Sequence, residues 1–213
     1  QVVAVAGMAG LGANEMRLVS PSLRRFVNPQ IVPLNGLTDG DVEPGSPQAV
    51  MDLRENPFAL DPSEALNAQV DSNTALVAQQ SCIVWLSDGA ISRVTGQQIH
   101  SVRCTAAITA IVGTWTNGQL VFTQDLPAGR FQIVGLRAQG ATMIAARLVF
   151  RGGSMRPGVL GCDIESDLEW SGFRMGGMGV LGEFEVNTPP TIDILCNAAD
   201  TAQEIILDLI QVG

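Results

Sequence analysis

Short apolar runs separated by turn signals dominate the chain after residue 80. Residues 82–86 form one such run, and Ser87-Asp88-Gly89 closes it with turn chemistry. Residues 99–115 are rich in β-branched and small side chains, which predicts a strand. Thr116-Asn117-Gly118-Gln119 follows, and Asn-Gly between apolar runs predicts a tight hairpin turn with a return strand at 120–124. After a second turn at Leu126-Pro127-Ala128-Gly129, residues 130–138 alternate. That alternation puts Phe131 and Ile133 on one face and Val134 and Leu136 on the other. Gln139-Gly140 predicts another turn, 142–150 a return strand, and Gly152-Gly153 its end. Further strands are expected at 158–162, 180–186, 191–195 and 204–212, with a Gly/Met-rich loop at 171–179. Asp200-Thr201-Ala202-Gln203-Glu204 would also suit a helix start, but the Ile/Val content of the last segment favours a strand.

Residues 1–80 read differently. Pro21, Pro29, Pro33, Pro44, Pro47, Pro57 and Pro62 interrupt every long periodic segment, because proline breaks helix interiors and central strands. Short helical turns fit at 22–27, 46–53 and 61–70, the last opened by Asp61-Pro62-Ser63-Glu64. The expected organisation is an extended Pro-rich arm over 1–80 and a compact domain over 81–213. The fold class is all-β: an eight-stranded antiparallel β-sandwich, whose strand number matches a jelly roll. An immunoglobulin-like arrangement fits less well, since Trp115 follows Cys104 too closely.

Composition narrows the functional classes. Apolar residues make up 46% of the 213 positions, too many for a disordered chain. No apolar run reaches the ~18 residues of a spanning helix. The net charge is −9 and all 12 basic residues are Arg, which argues against direct nucleic-acid binding, where phosphates call for a basic surplus. Charged residues are only 15%, against the roughly 25–35% of a good soluble surface. Much of this surface is therefore expected to be covered by partners. Residues 1–38 hold Arg17, Arg24 and Arg25 against the single acid Glu15, so this first part of the arm alone has a basic balance. Gln1–Gly12 is apolar but lacks the basic start of a secretory signal, and no Asn-x-Ser/Thr sequon occurs.

Chemical motifs are sparse. Cys82, Cys104, Cys162 and Cys196 form no close pair, so buried thiols are expected and no metal site or pairing is assigned. His100 is the only histidine, beside Ser101, with no strained nucleophile turn around it. Gly177-Met178-Gly179-Val180-Leu181-Gly182 matches a dinucleotide fingerprint in letters but lacks the flanking strand and helix. Asp163, Glu165, Asp167 and Glu169 alternate, and read as a solvated acidic loop or a weak cation-binding face. No catalytic, cofactor or metal residue is assigned, and the chain is read as not an enzyme.

Several segments together resemble a known kind of protein. They are Leu126-Pro127-Ala128-Gly129-Arg130-Phe131, Ala145-Ala146-Arg147-Leu148-Val149-Phe150, Arg156-Pro157-Gly158 and Asn187-Thr188-Pro189-Pro190, behind a Pro-rich arm. The pattern over 80–213 resembles a single jelly-roll capsid protein of tailless icosahedral viruses of bacteria and archaea. That resemblance implies a structural, self-assembling coat protein located in the virion. Its partners would be copies of itself, other virion proteins and, through the arm, a lipid membrane beneath the shell. Phe26, Leu34, Phe58 and Leu60 are the expected arm anchors. Arg24 and Arg25 are expected to meet phosphate or lipid headgroups. Arg130, Arg137, Arg147 and Arg156 are expected to pair charges across interfaces. The alternative is a β-sandwich ligand- or carbohydrate-binding module, monomeric or trimeric.

Overall fold

The computed structural model describes residues 1–9, 13–23, 31–33, 35–36, 51–72, 80–106, 108–153, 156–160, 176–201 and 203–212. Every regular element among them is a strand, apart from a single 3-10 residue at Leu23. The chain divides into two compact units, Gln1–Ile91 and Ser92–Gly213. The boundary thus falls eleven residues after the one expected, because the strand at 82–86 pairs with the start of the chain.

Among its described residues the N-terminal unit carries seven strands, where an extended arm was expected. β1 (Val2–Ala9) pairs antiparallel with β7 (Gln80–Leu86) along its length. β4 (Asn35–Gly36) and β5 (Met51–Asp52) pair with β1 as well. A second sheet has β2 (Ala13–Val19) between β3 (Ile31–Pro33) and β6 (Asn67–Ser72). The prolines limit strand length but do not prevent strands. Pro33 ends the edge strand β3, where a missing N–H costs no ladder bond, and Pro21 and Pro62 lie in turns. The apolar faces close over Val2, Val5, Leu18 and Leu23.

The helix expected from Asp61 is a turn leading into β6. Glu64 does reach back to the Asp61 N–H (2.8 Å), as in a capping box, but its other oxygen accepts the Ser22 N–H (2.8 Å). Ser63 takes a left-handed conformation (φ 64), which stops a helix at its first turn. The helical turn expected at 46–53 is instead strand β5 in its described part. That at 22–27 lies largely outside the described residues.

The described residues of the C-terminal unit form two antiparallel sheets. One has the order β10 (Val121–Phe122), β8 (His100–Ala106), β16 (Gln203–Val212), β11 (Arg130–Gly140), β14 (Gly182–Glu185). The other runs β13 (Gly158–Leu160), β12 (Met143–Val149), β15 (Thr191–Cys196), β9 (Thr116–Gln119). Inward residues of both sheets form one core, among them Cys104, Leu136, Leu148, Ile194 and Leu207. This fits a β-sandwich. The last segment is a strand, with Ile205, Leu207 and Leu209 inward at alternate positions.

Three local expectations are corrected. First, the alternation read for 130–138 breaks midway. A register shift between Ile133 and Gly135 inserts an extra residue, so Phe131, Ile133, Leu136 and Ala138 all reach the same core. Second, 99–115 is strand only as far as Ala106, and a loop carries the chain on to β9. Third, Asn117-Gly118 is not a turn. Both residues lie within β9, and the chain crosses from one sheet to the other at Leu120. Gly118 is needed for space and not for backbone conformation: a Cβ there would lie 2.3 Å from Ile108 Cγ1. The return at 142–150 likewise crosses to the opposite sheet and does not pair with β11.

Gly118→Ala should therefore destabilise the C-terminal unit by about 1–3 kcal/mol through overpacking. Introducing Ile108→Ala alongside it should recover part of that loss in a urea-denaturation cycle. Equal losses in both backgrounds would show that the Ile108 contact is not the cause.

Candidate functional site

Three connections meet at one end of the C-terminal unit: the β8–β9 loop, the β11–β12 turn and the β15–β16 loop. Asp200 and Gln203, both buried, tie them together. The Ala110 N–H donates to the Asp200 carbonyl (3.1 Å), and the Thr142 N–H to Asp200 Oδ2 (3.3 Å). Thr142 Oγ1 donates to the Ala198 carbonyl (3.0 Å), and the Gln203 amide brackets the backbone of Ile108. A further bond joins the Gly113 N–H to the Cys196 carbonyl (3.0 Å). Each buried backbone group held this way avoids the cost of an unmade hydrogen bond. The result is a fixed platform from which Ile111 (62% exposed) and Val112 (54%) project into solvent.

Beside that tip lies an ordered polar row. Arg147, Asp193 and Asn117 stand directly opposite one another on β12, β15 and β9. Arg147 Nε donates to Asp193 Oδ2 (2.9 Å), and Asn117 Nδ2 donates to Asp193 Oδ1 (2.8 Å) and Thr191 Oγ1 (3.0 Å). The guanidinium also lies 4.2 Å from the centre of the Trp115 ring, which is 37% exposed. Nε is thus committed, and among the described residues no acceptor meets the two terminal nitrogens of Arg147.

On the other sheet, Ser101 Oγ and Arg137 Nη2 both donate to Asp208 Oδ1, each at 2.6 Å. Asp208 is fully buried, and Arg137 Nε is buried with no hydrogen-bond partner among the described residues. A serine and an aspartate therefore do meet near His100. The imidazole, however, alternates to the face opposite Ser101. The Ser101 hydroxyl is committed to the carboxylate, and no base stands between them. The Gly177–Gly182 run is a turn leading into β14, with no helix after it. Gly182 is required by packing, since a Cβ there would meet the Phe150 ring at 2.2 Å.

The residues singled out from the sequence are scattered. Arg24, Arg25, Phe26, Leu34 and the acidic run 163–169 lie outside the described residues. Phe58 and Leu60 pack against the core of their own unit, and Phe58 exchanges both backbone bonds with Val2. Arg130 reaches Glu183 (3.7 Å), Arg137 Asp208, Arg147 Asp193, and Arg156 the Gly153 carbonyl (2.8 Å). All four find partners within the chain. Trp115, Ile111 and Val112 carried no sequence signal as a site, because their grouping depends on the loop platform. Cys82, Cys104 and Cys196 are free thiols. Burial pushes Cys104 up to about 12 and Cys196, with help from Asp200, up to about 11. Among the described residues no cluster of three or more metal-ligating side chains occurs. No family model, curated protein or solved structure matches the chain, so the site is read from its geometry alone.

Removing one member of the buried pair should be costly. Asp208→Ala leaves the Arg137 charge uncompensated and should cost about 3–5 kcal/mol, whereas Asp208→Ala with Arg137→Met should cost less. Chemical denaturation of the three proteins tests this, and an equal or greater loss in the double variant would refute it. The thiols set an alkaline limit. Their folded values lie above the ordinary 9.0, so from about pH 9 the unfolded chain releases protons that the folded chain retains. Stability should be flat through neutral pH and fall above pH 9, and a Cys104→Ser, Cys196→Ser variant should show a shallower alkaline slope.

Proposed function

We propose that this chain is a structural, self-assembling virion coat protein whose C-terminal unit is a single jelly roll. The observation that carries the proposal is the nesting of its strand pairs. β12 pairs with β13, β11 with β14, β9 with β15, and β8 with β16. Each strand thus pairs with its counterpart across the β12–β13 turn, as when one long hairpin is folded over into two sheets. The resulting orders, β8-β16-β11-β14 and β9-β15-β12-β13, support reading these strands as an eight-stranded jelly roll, with β10 a two-residue addition at one edge. Viral capsid domains and lectins both use that architecture.

Assembly is favoured over small-molecule chemistry by what the surface offers. Side-chain charge is scarce, and exposed apolar residues stand on a fixed platform. No catalytic centre is part of this reading. The basic balance of residues 1–38 suits a phosphate-bearing partner such as the lipid headgroups of a membrane beneath a shell, and other virion proteins would complete the particle. The carbohydrate-binding alternative rests on Trp115 beside Asn117 and Asp193, although one face of that ring already carries Arg147.

Size-exclusion chromatography with light scattering, followed by electron microscopy, tests the proposal. The purified chain should form particles or ring-like units of defined copy number. A stable 22.4 kDa monomer at micromolar concentration would sink the coat-protein reading.

A further inference from the structure

Asn-Gly is the dipeptide most prone to lose its side-chain amide, and the chain holds it twice, at Asn35-Gly36 and Asn117-Gly118. The main-chain nitrogen of the following residue attacks the asparagine Cγ, and a glycine there has no side chain to hinder it. Neither member of the second pair can be exchanged freely. Gly118 is fixed by Ile108, whose Cγ1 and Cδ1 lie 2.3 and 2.5 Å from where a Cβ would stand. Asn117 is fixed by β15. Its Nδ2 donates to Asp193 Oδ1 (2.8 Å), to Thr191 Oγ1 (3.0 Å) and, more weakly, to the Ile192 carbonyl (3.4 Å). Two unrelated packing demands thus put a labile pair in β9, with the asparagine exposed.

The same contacts hold the reaction back. Cyclisation joins the Gly118 nitrogen to Asn117 Cγ, so the side chain must turn onto its own following peptide. In β9 it reaches instead to the neighbouring strand, with its amide nitrogen on β15 acceptors. The peptide lies in the β9–β15 ladder, where Asn117 stands opposite Asp193 and Gly118 opposite Ile192. Both restraints lapse together when β9 leaves β15. Among the described residues β9 is a four-residue edge strand with one neighbour in its sheet. Such a strand opens at a lower free energy than a central one.

We propose that Asn117-Gly118 is a self-modification site gated by β9, stable while the strand is paired and deamidating in chains where it has opened. The Gly118 nitrogen, having lost its proton to solvent, bonds to Asn117 Cγ. The bond from Cγ to the side-chain nitrogen breaks, and that nitrogen leaves as ammonia with a proton from water. Water then opens the succinimide at either carbonyl. One product has an aspartyl residue at 117. The other has an isoaspartyl link, which carries the main chain through the former side chain. Neither pairs as before. The aspartyl form sets a carboxylate directly opposite Asp193, where like charges repel. It also gives up the donor that Asn117 supplied to Asp193 and Thr191. The isoaspartyl form adds a main-chain atom and breaks the register with β15. The change is one-way, so it marks permanently each chain that has opened there. The gate operates whether or not the chain assembles, and so goes beyond the coat-protein reading.

Incubation at mildly alkaline pH followed by tryptic peptide mapping tests it. With no Lys in the chain, trypsin cuts after Arg alone, and the peptide between Arg103 and Arg130 has Asn117 as its only asparagine. The peptide between Arg25 and Arg54 carries Asn35-Gly36 and reports, in the same digest, that the conditions permit deamidation. In concentrated urea both pairs should lose ammonia. Without urea Asn117 should do so at least about tenfold more slowly, and its rate should rise with urea below the unfolding midpoint. Separately, Asn117→Asp should lower the urea midpoint, and chains deamidated at Asn117 and then refolded should unfold at lower urea than intact chains from the same sample. Equal rates at Asn117 in folded and unfolded chains, or an Asn117 that survives urea while Asn35 does not, would overturn the gate. Unchanged midpoints for Asn117→Asp and for the deamidated chains would overturn the one-way mark.

Discussion

The C-terminal strand β16 fixes the register of the sheet it lies in. It pairs with β8 on one side and with β11 on the other over most of its length. Its inward residues Ile205, Leu207 and Leu209 face the opposite sheet. A slip of one residue would turn all three to the opposite face and bring Glu204 and Asp208 into the core. The strand is also pinned at its start and in its middle: Gln203 to the backbone of Ile108, and Asp208 to Ser101 and Arg137. The loop platform at one end and the order of the sheet edges at the other follow from that single alignment. So does the position of every exposed patch on the unit.

Much of this was legible in the sequence where one rule acts alone. β11, β12, β15 and β16 stand out because their apolar residues alternate or run unbroken between turn signals, and their ends lie within a few residues of those expected. The sequence reading failed where a distant contact overrode a local signal. Asn117-Gly118 has the chemistry of a hairpin turn, yet it lies flat in β9 because Ile108 packs where a side chain would have been. Phe131 and Leu136 should face opposite ways by parity, and the extra residue near Val134 makes them neighbours. Proline density in the first 80 residues excluded long elements but not short ones. Strands such as β1 and β2 fit between the prolines, and their partners lie tens of residues away.

The candidate site was less legible than the fold, for a physical reason. Its parts come from separate connections and strands, and none has a characteristic spacing. The arginines show the difference clearly. Sequence could mark Arg130, Arg137 and Arg147 as charges on strands. It could not show that each stands beside an acid on the adjoining strand. Once so paired, an arginine's worth to a partner depends on which nitrogens are left over. Arg147 keeps its terminal pair, while Arg137 is turned into the protein.

The nesting of strand pairs also bears on how the chain is made. On a ribosome, residues emerge in order, but β8 must wait for β16 and β9 for β15. Only β12 and β13 are near neighbours in sequence. That hairpin is the natural seed, and pairing must spread outward from it to partners of increasing separation, which is slow. Until residues 203–212 have been synthesised, β8 and β11 lack their shared neighbour and present open edges. The N-terminal unit has a shorter form of the same delay, since β1 waits for β7. Each nascent chain therefore passes through a half-paired stage whose open sheet edges invite pairing with other chains.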